Sequence, residues 1–301
     1  MEGICHPVLL GNPDRLRRMA TRLKLDLTGI ELIDMRADQE QGRRATYAKH
    51  LAEKRARDGY TFQEAYDKMY ERNYFGMMMV ETGDADAFIT GLYTKYSNTI
   101  KVAKEVIGIR EENSTFGTMH IINSPKGVLY LADTLVNGDP NTDDLVDIAK
   151  LASRTVKFFN ETPNIALISY SNFGSDTAPG SLKVKNAVKR VQDEMPELCI
   201  DGEMQIGYAL NRELRDQKYP FSKLVGKDVN TLVFPNLTSA RSAYKLLQML
   251  SNDVEIIGPI QMGLNKPIHF TDSESSVRDI VNITAIATID AYVEKIKQGK
   301  K

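Results

Sequence analysis

Residue types capable of chemistry gather in three stretches of this chain. Residues 168–175 read ISYSNFGS, an apolar run leading into Ser169, Ser171, Asn172, Gly174 and Ser175. Small hydroxyls and backbone N–H groups at the carboxyl end of a strand can surround a phosphate or an acyl oxygen, and the same residues also suit a plain strand-to-loop turn. Residues 258–268 read GPIQMGLNKPI, where Gly258-Pro259 and Lys266-Pro267 flank a loop and Lys266 supplies a cation. Residues 277–287 read VRDIVNITAIA, a nearly all-apolar helix with Arg278 and Asp279 in its first turn. A carboxylate there is stabilised by the helix dipole, so Asp279 fits helix capping as well as proton transfer.

Several familiar chemistries are excluded by inspection. No two of the 20 glycines stand two apart, so no GxGxxG turn exists for a dinucleotide. Gly226-Lys227 is followed by Asp228 and preceded at the P-loop spacing by Phe221. His6, His50, His120 and His269 are too scattered for HExxH or a zinc ribbon, GxSxG is missing, and no metal site is expected. His269 reads as a satisfied loop histidine, and Met77 to Met79 as core filler. Cys5 and Cys199 are too few for a disulfide framework and read as reduced thiols.

The elements that must position these stretches follow an α/β pattern. With 301 residues the chain is long enough for two domains, and 42% hydrophobic and 26% charged residues place it among ordinary globular proteins. Thirty-nine Lys and Arg against 40 Asp and Glu leave a net charge of −1, so no global field favours nucleic acid or an anionic membrane, and any anion site must be local. Apolar runs stay far below the length that spans a bilayer and the amino terminus opens no signal peptide, so a cytoplasmic protein is expected. Strands are expected at 7–10, 30–34, 119–123, 128–132, 165–169, 231–234 and 254–257, in a largely parallel sheet. Asn12-Pro13-Asp14 opens one helix, the capping box Thr61 to Glu64 a second, and Thr142 caps a third whose buried stripe is Leu145, Ile148, Ala149, Ala152, Val156 and Phe159. The turn Gly138 to Asn141 is the best boundary between domains. Tyr93, Lys95 and Tyr96 suit a solvated helix edge.

The three stretches, with LLG at 9–11, YFGMMM at 74–79, DGEMQ at 201–205, LVFPN at 232–236 and AYKLLQ at 243–248, resemble the phosphate acetyl/butyryltransferase family over nearly the whole chain. The resemblance implies two three-layer α/β/α domains with a cleft between them, as in isocitrate and isopropylmalate dehydrogenases, acetyl-CoA in that cleft, and a homo-oligomer of at least two chains. The domains would be 1–140 with 281–301, and 141–280. Active members use a Ser-Arg pair, an Asp and two phosphate-holding arginines. Here the Asp is kept as Asp279 and one arginine as Arg55 in EKRARDG, but the Ser-Arg pair falls on Asp272 and Ser273 and the other arginine on Lys101. A carboxylate at Asp272 faces an arriving phosphate unfavourably: two like charges 4 Å apart cost about 4 kcal/mol at an effective dielectric of 20.

TGLYTKYSNTI at 90–100 departs from the transferases and resembles the phosphotransacetylase-like carboxyl-terminal domain of large NADP-dependent malic enzymes. That resemblance implies a regulatory domain that binds acetyl-CoA as an effector, holds an oligomer together and represses a malic enzyme module amino-terminal to it in a parent protein. An excised domain with an added initiator methionine is expected; the alternative is an active phosphate acetyltransferase. Lys266, Arg278, Lys95 and Lys101 are the cations the resemblance places at the ligand's phosphates, with Ser171 and Ser275 as neutral donors beside the 169–175 loop.

Overall fold

The computed structural model describes residues 3–91, 96–251, 253–271, 274–297 and 299. The expected positions Tyr93, Lys95, Asp272 and Ser273 lie outside them. In chain order the elements are β1 (Val8–Leu10), α1 (Pro13–Arg22), β2 (Glu31–Ile33), α2 (Gln41–Lys54), α3 (Phe62–Lys68), α4 (Arg72–Thr82), β3 (Phe88–Thr90) and α5 (Tyr96–Val106). There follow β4 (Gly117–Ser124), β5 (Gly127–Ala132), α6 (Thr142–Phe158), β6 (Asn164–Ile168), α7 (Pro179–Glu194), β7 (Cys199–Met204), α8 (Ile206–Leu210), α9 (Arg212–Lys218), β8 (Thr231–Val233), α10 (Leu237–Leu250) and β9 (Glu255–Met262), then β10 (Ile268–Phe270) and α11 (Val277–Lys297). The class is α/β, with sheets flanked by helices in the expected α/β/α layering. No helix among the described residues is long and apolar enough to cross a membrane.

Two compact units divide the chain, Met1–Gly108 with Leu264–Lys301, and Ile109–Gly263. The turn at 138–141 therefore lies inside the second unit, contrary to the boundary expected there. The reason is pairing: β4 and β5, both before that turn, sit in the middle of the second unit's six-stranded sheet, ordered β7-β6-β8-β5-β4-β9. β7, β6, β8 and β5 run parallel, whereas β4 is antiparallel to both β5 and β9, so the sheet is mixed. Ile122, Leu131, Ala166, Ile168, Leu232 and Phe234 pack against Met204 of β7 and Ala240 and Tyr244 of α10 to form its core. In the first unit β1 pairs with β2 and β3 with β10, each in parallel. There α4 is buried from Asn73 to Val80, and Met77 and Met78 are wholly enclosed, the core role read for them. Along α11, Ile283, Ile286 and Ala287 are buried, while Ile289, Tyr292 and Ile296 are exposed.

The helix starts follow the local sequence signals, with one shift at α6. Asn12 accepts from the Arg15 amide and Thr61 with Glu64 closes the expected capping box. The α6 cap is Asn141, reciprocally bonded with Asp144, and Thr142 is the first helical residue. An Asn one residue earlier places its side-chain oxygen over the third amide of the helix, which Thr142 cannot do from inside the turn.

Close approach of β6 and β7 requires a glycine. Gly202 has φ +144°, and a Cβ there would stand 2.6 Å from the Leu167 carbonyl oxygen. Gly202→Ala is expected to destabilise the protein by about 2–4 kcal/mol in urea unfolding. Gly207→Ala in α8, where a Cβ meets nothing within 4 Å, should be neutral or slightly stabilising in the same measurement.

Candidate functional site

The 169–175 loop leaves the carboxyl end of β6 and is fastened along its length to residues 203–205. The ladder puts Leu167 opposite Gly202 and Ile168 opposite Met204, so Glu203 is a bulged residue turned out of register. Bulges re-aim a side chain in this way. Ser169 N–H donates to the Met204 carbonyl (2.9 Å), Phe173 N–H to the Glu203 carbonyl (2.8 Å), and Gly174 N–H to Glu203 Oε1 (2.6 Å). Gln205 N–H donates to Asn172 Oδ1 (2.9 Å), and Gln205 Nε2 to the Tyr170 carbonyl (2.7 Å). Asn172 N–H in turn donates to Ser175 Oγ at 3.0 Å.

The serines expected to face a ligand are partly committed. Ser169 and Ser171 are buried, with hydroxyls 3.1 Å apart, and Ser171 Oγ lies 2.6 Å from Ser181 Oγ on the first turn of α7. Ser171 also donates to Glu203 Oε1 at 3.4 Å. Ser171 is therefore an internal strut and not the outward-facing neutral donor expected, because Glu203 and Ser181 lie within its reach. Glu203 is itself fully buried, and its Oε2 has no hydrogen-bond partner among the described residues. At the loop's end the Tyr170 hydroxyl and the Ala178 N–H hold the Asp176 carboxyl below its ordinary range. Lys185 Nζ hangs over Gly174, 3.1 Å from where a Cβ would be, and Phe173 lays its ring against Tyr219 and Phe221, with centroids 4.7 and 5.1 Å away. Nothing local in the sequence marks Glu203, Gln205, Ser181 or Lys185 for these contacts, because their partners lie 10 or more residues away in the chain.

In the first unit Arg55 and its neighbour Lys54 act on the end of α5. Arg55 Nε donates to the Glu105 carbonyl (2.7 Å), Nη2 to the Lys104 carbonyl (2.5 Å) and Nη1 to Asp58 (3.0 Å). Lys54 Nζ donates to the Val106 carbonyl (2.7 Å) and the Ile107 carbonyl (3.3 Å). Two adjacent cations thus satisfy four successive carbonyls at the negative end of a helix. Lys101 is exposed and pairs with Glu105 at 3.7 Å, one turn on. Burial pushes the Glu105 carboxyl up, but hydroxyl hydrogen bonds from Tyr74 and Tyr60, with Lys68 and Lys101 nearby, outweigh it and leave the pKa below the ordinary value of 4.5. Burial and then the Glu105 carboxylate push both tyrosines above 10.

Asp279 caps α11. Its Oδ2 accepts from the Ser276 N–H at 2.7 Å and its own N–H donates to Ser276 Oγ at 3.2 Å, the capping reading of the two left open. Lys266, Ser275 and Arg278 each have interaction partners of their own. His269, expected in a loop, lies in β10 and is buried, with neither ring nitrogen hydrogen-bonded among the described residues and Asp290 of α11 3.5 Å from Nε2. Among the described residues no group of three or more His, Cys, Asp and Glu could hold a metal ion. The fold brings Ser169, Ser171, Asn172, Gly174 and Ser175 together in one unit, and in the other it sets Arg55 on the Glu105 carbonyl and Lys101 on the Glu105 carboxylate.

Residues 1–288 match the family described as phosphate acetyl/butaryl transferase. The NADP-dependent malic enzyme of Escherichia coli is 34% identical over 295 residues, 98% of this chain and 39% of that protein. The chain spans about two fifths of the length of the malic enzymes it matches. The phosphate acetyltransferase of Clostridium acetobutylicum is 31% identical over 297 residues, 96% of this chain and 88% of that one. A solved phosphotransacetylase from Streptococcus pyogenes superposes with a TM-score of 0.86 at 30% identity, covering 97% and 88% of the two chains.

Two outcomes follow for the Arg55 and Glu105 group. Arg55→Ala strands carbonyls of α5 and is expected to cost about 1–3 kcal/mol in urea unfolding, whereas Lys101→Ala, which breaks one exposed ion pair, should cost under about 1 kcal/mol. Glu105 has a folded pKa below its unfolded one, so its contribution is present above pH 4.5 and is lost as pH falls; Tyr60 and Tyr74 have raised values, so theirs is present below pH 10 and is lost above it. Stability measured against pH should fall away at both ends, and Glu105→Gln should weaken both limbs.

Proposed function

Because the chain belongs to the phosphate acetyl/butaryl transferase family, we propose that it is an acetyl-CoA-binding regulatory module of a malic enzyme, with phosphotransfer lost. The observation that carries this is the state of Arg55. Phosphate acyl transfer needs cations free to neutralise a phosphate at the acyl carbon. Arg55 directs all three guanidinium nitrogens to the α5 carbonyls and Asp58. Lys101, in place of a second arginine, is a point charge shared with Glu105, without the bidentate fork that suits phosphate. Asp279, which would take the thiol proton of CoA, accepts a hydrogen bond from the start of its own helix. Asp272 and Ser273 replace the family's Ser-Arg pair in sequence.

Binding makes different demands, because donors and cations need only hold the ligand. The loop residues Ser169, Asn172, Gly174 and Ser175 are proposed at its acyl-pantetheine end, and Lys266, Arg278, Lys95, Lys101 and Ser275 at its phosphates. A module of this kind would regulate an attached malic enzyme and hold an oligomer together; the exposed Ile289, Tyr292 and Ile296 of α11 are apolar surface available for assembly. Active phosphate acetyltransferase is the second reading, favoured by the 31% identity to the Clostridium acetobutylicum enzyme along most of its length.

An assay of acetyl transfer from acetyl phosphate to CoA, in a preparation free of host enzyme, is expected to show no turnover; rates typical of a working enzyme would establish the second reading. Lys266→Glu is expected to weaken acetyl-CoA at least tenfold, about 1.4 kcal/mol, by calorimetry, and unchanged affinity would remove Lys266 from the proposed contacts.

A further inference from the structure

Phe173 is an uncommon residue to find at φ +47°, followed by Gly174 at +86°. A bulky side chain in the left-handed region costs on the order of 1–3 kcal/mol and persists only where its surroundings hold it. Both N–H groups of this pair point at one residue: Phe173 N–H at the Glu203 main-chain carbonyl, and Gly174 N–H at Glu203 Oε1. Successive amides turned to one side form a concavity suited to an anion, and here one residue of the chain occupies it, with the Glu203 carbonyl on Phe173 N–H and the Glu203 carboxyl on Gly174 N–H. Ser171 closes the same carboxylate from the preceding turn.

Glu203 reaches this place only because it is the bulged residue of β7, between Gly202 and Met204 in the ladder with β6. A plain strand residue would keep the β6 register. The cost is visible: the carboxyl is fully buried and Oε2 has no partner among the described residues. A buried carboxyl satisfied on one oxygen is an expensive way to hold a turn, and it is kept here together with the two donors, Gly174 N–H and Ser171 Oγ, that it serves.

We propose that Glu203 is the positioning residue of the ligand loop, holding Phe173 and Gly174 in their strained turn so that Asn172 and Ser175 are presented to acetyl-CoA. This rests on the acetyl-CoA reading above. Glu203 touches no ligand in this scheme; it acts through the Gly174 amide.

Two conservative variants test it. Glu203→Gln keeps an oxygen opposite the Gly174 N–H, and Glu203→Asp keeps the carboxyl group but withdraws it by one methylene. Acetyl-CoA affinity by calorimetry and amide hydrogen exchange at 171–175 are measured on both and on the wild type. The expected result is that Glu203→Gln binds within about threefold of wild type with Gly174 still protected, while Glu203→Asp binds at least tenfold more weakly with Gly174 exchanging faster. Wild-type affinity in Glu203→Asp, protection of Gly174 unchanged there, or equal loss in both variants would overturn the positioning role. Absence of acetyl-CoA binding by the wild type would instead overturn the reading on which it rests, whatever the exchange shows.

Discussion

Backbone groups that leave regular structure inside a protein must find partners, and in both units of this chain one short segment supplies them. In the second unit residues 203–205 satisfy the loop that follows β6, through two main-chain carbonyls, an amide N–H, the Glu203 carboxylate and the Gln205 amide side chain. In the first, Lys54 and Arg55 take the last carbonyls of α5. Remove either set and about 1–3 kcal/mol is lost for each buried group left unpaired, enough to release the loop or fray the helix. The shape of the candidate site is therefore a consequence of hydrogen-bond accounting more than of apolar packing.

That accounting also separates binding from catalysis. A residue that caps a helix or props a turn is held rigidly, and its donors are no longer available for a moving phosphate. Arg55 and Asp279 illustrate this, since each is proposed from the resemblance as the counterpart of a working residue and each is tied to its own chain. Such a frame can still offer a fixed surface to a ligand that needs no change in charge.

Much of this was legible in the sequence where the signal is local. The apolar strands and the capping boxes of α3 and α11 are short-range features, as is the ISYSNFGS turn, and their residues are neighbours in the chain. What escaped depends on distant partners. β7 reads CIDGEM, with Asp and Glu that argue against a strand; Asp201 is tolerated because Ser222 Oγ and the Lys223 N–H, more than 20 residues on, bind its carboxylate. The role of Arg55 rests on carbonyls about 50 residues away. The turn chemistry at Gly138 is visible in the sequence and points to a boundary, whereas the pairing of β4 with β9, which keeps residues 117–124 in the second unit, is not visible there. β3 and β10, three residues each, are too short to show a period.

The most direct test is hydrogen exchange followed by mass spectrometry on the wild-type chain, alone and with saturating acetyl-CoA or acetyl phosphate. The account predicts that acetyl-CoA slows exchange at 169–175 and 203–205 while acetyl phosphate leaves both unchanged. Equal protection by acetyl phosphate, or no change at these segments with acetyl-CoA, would contradict it.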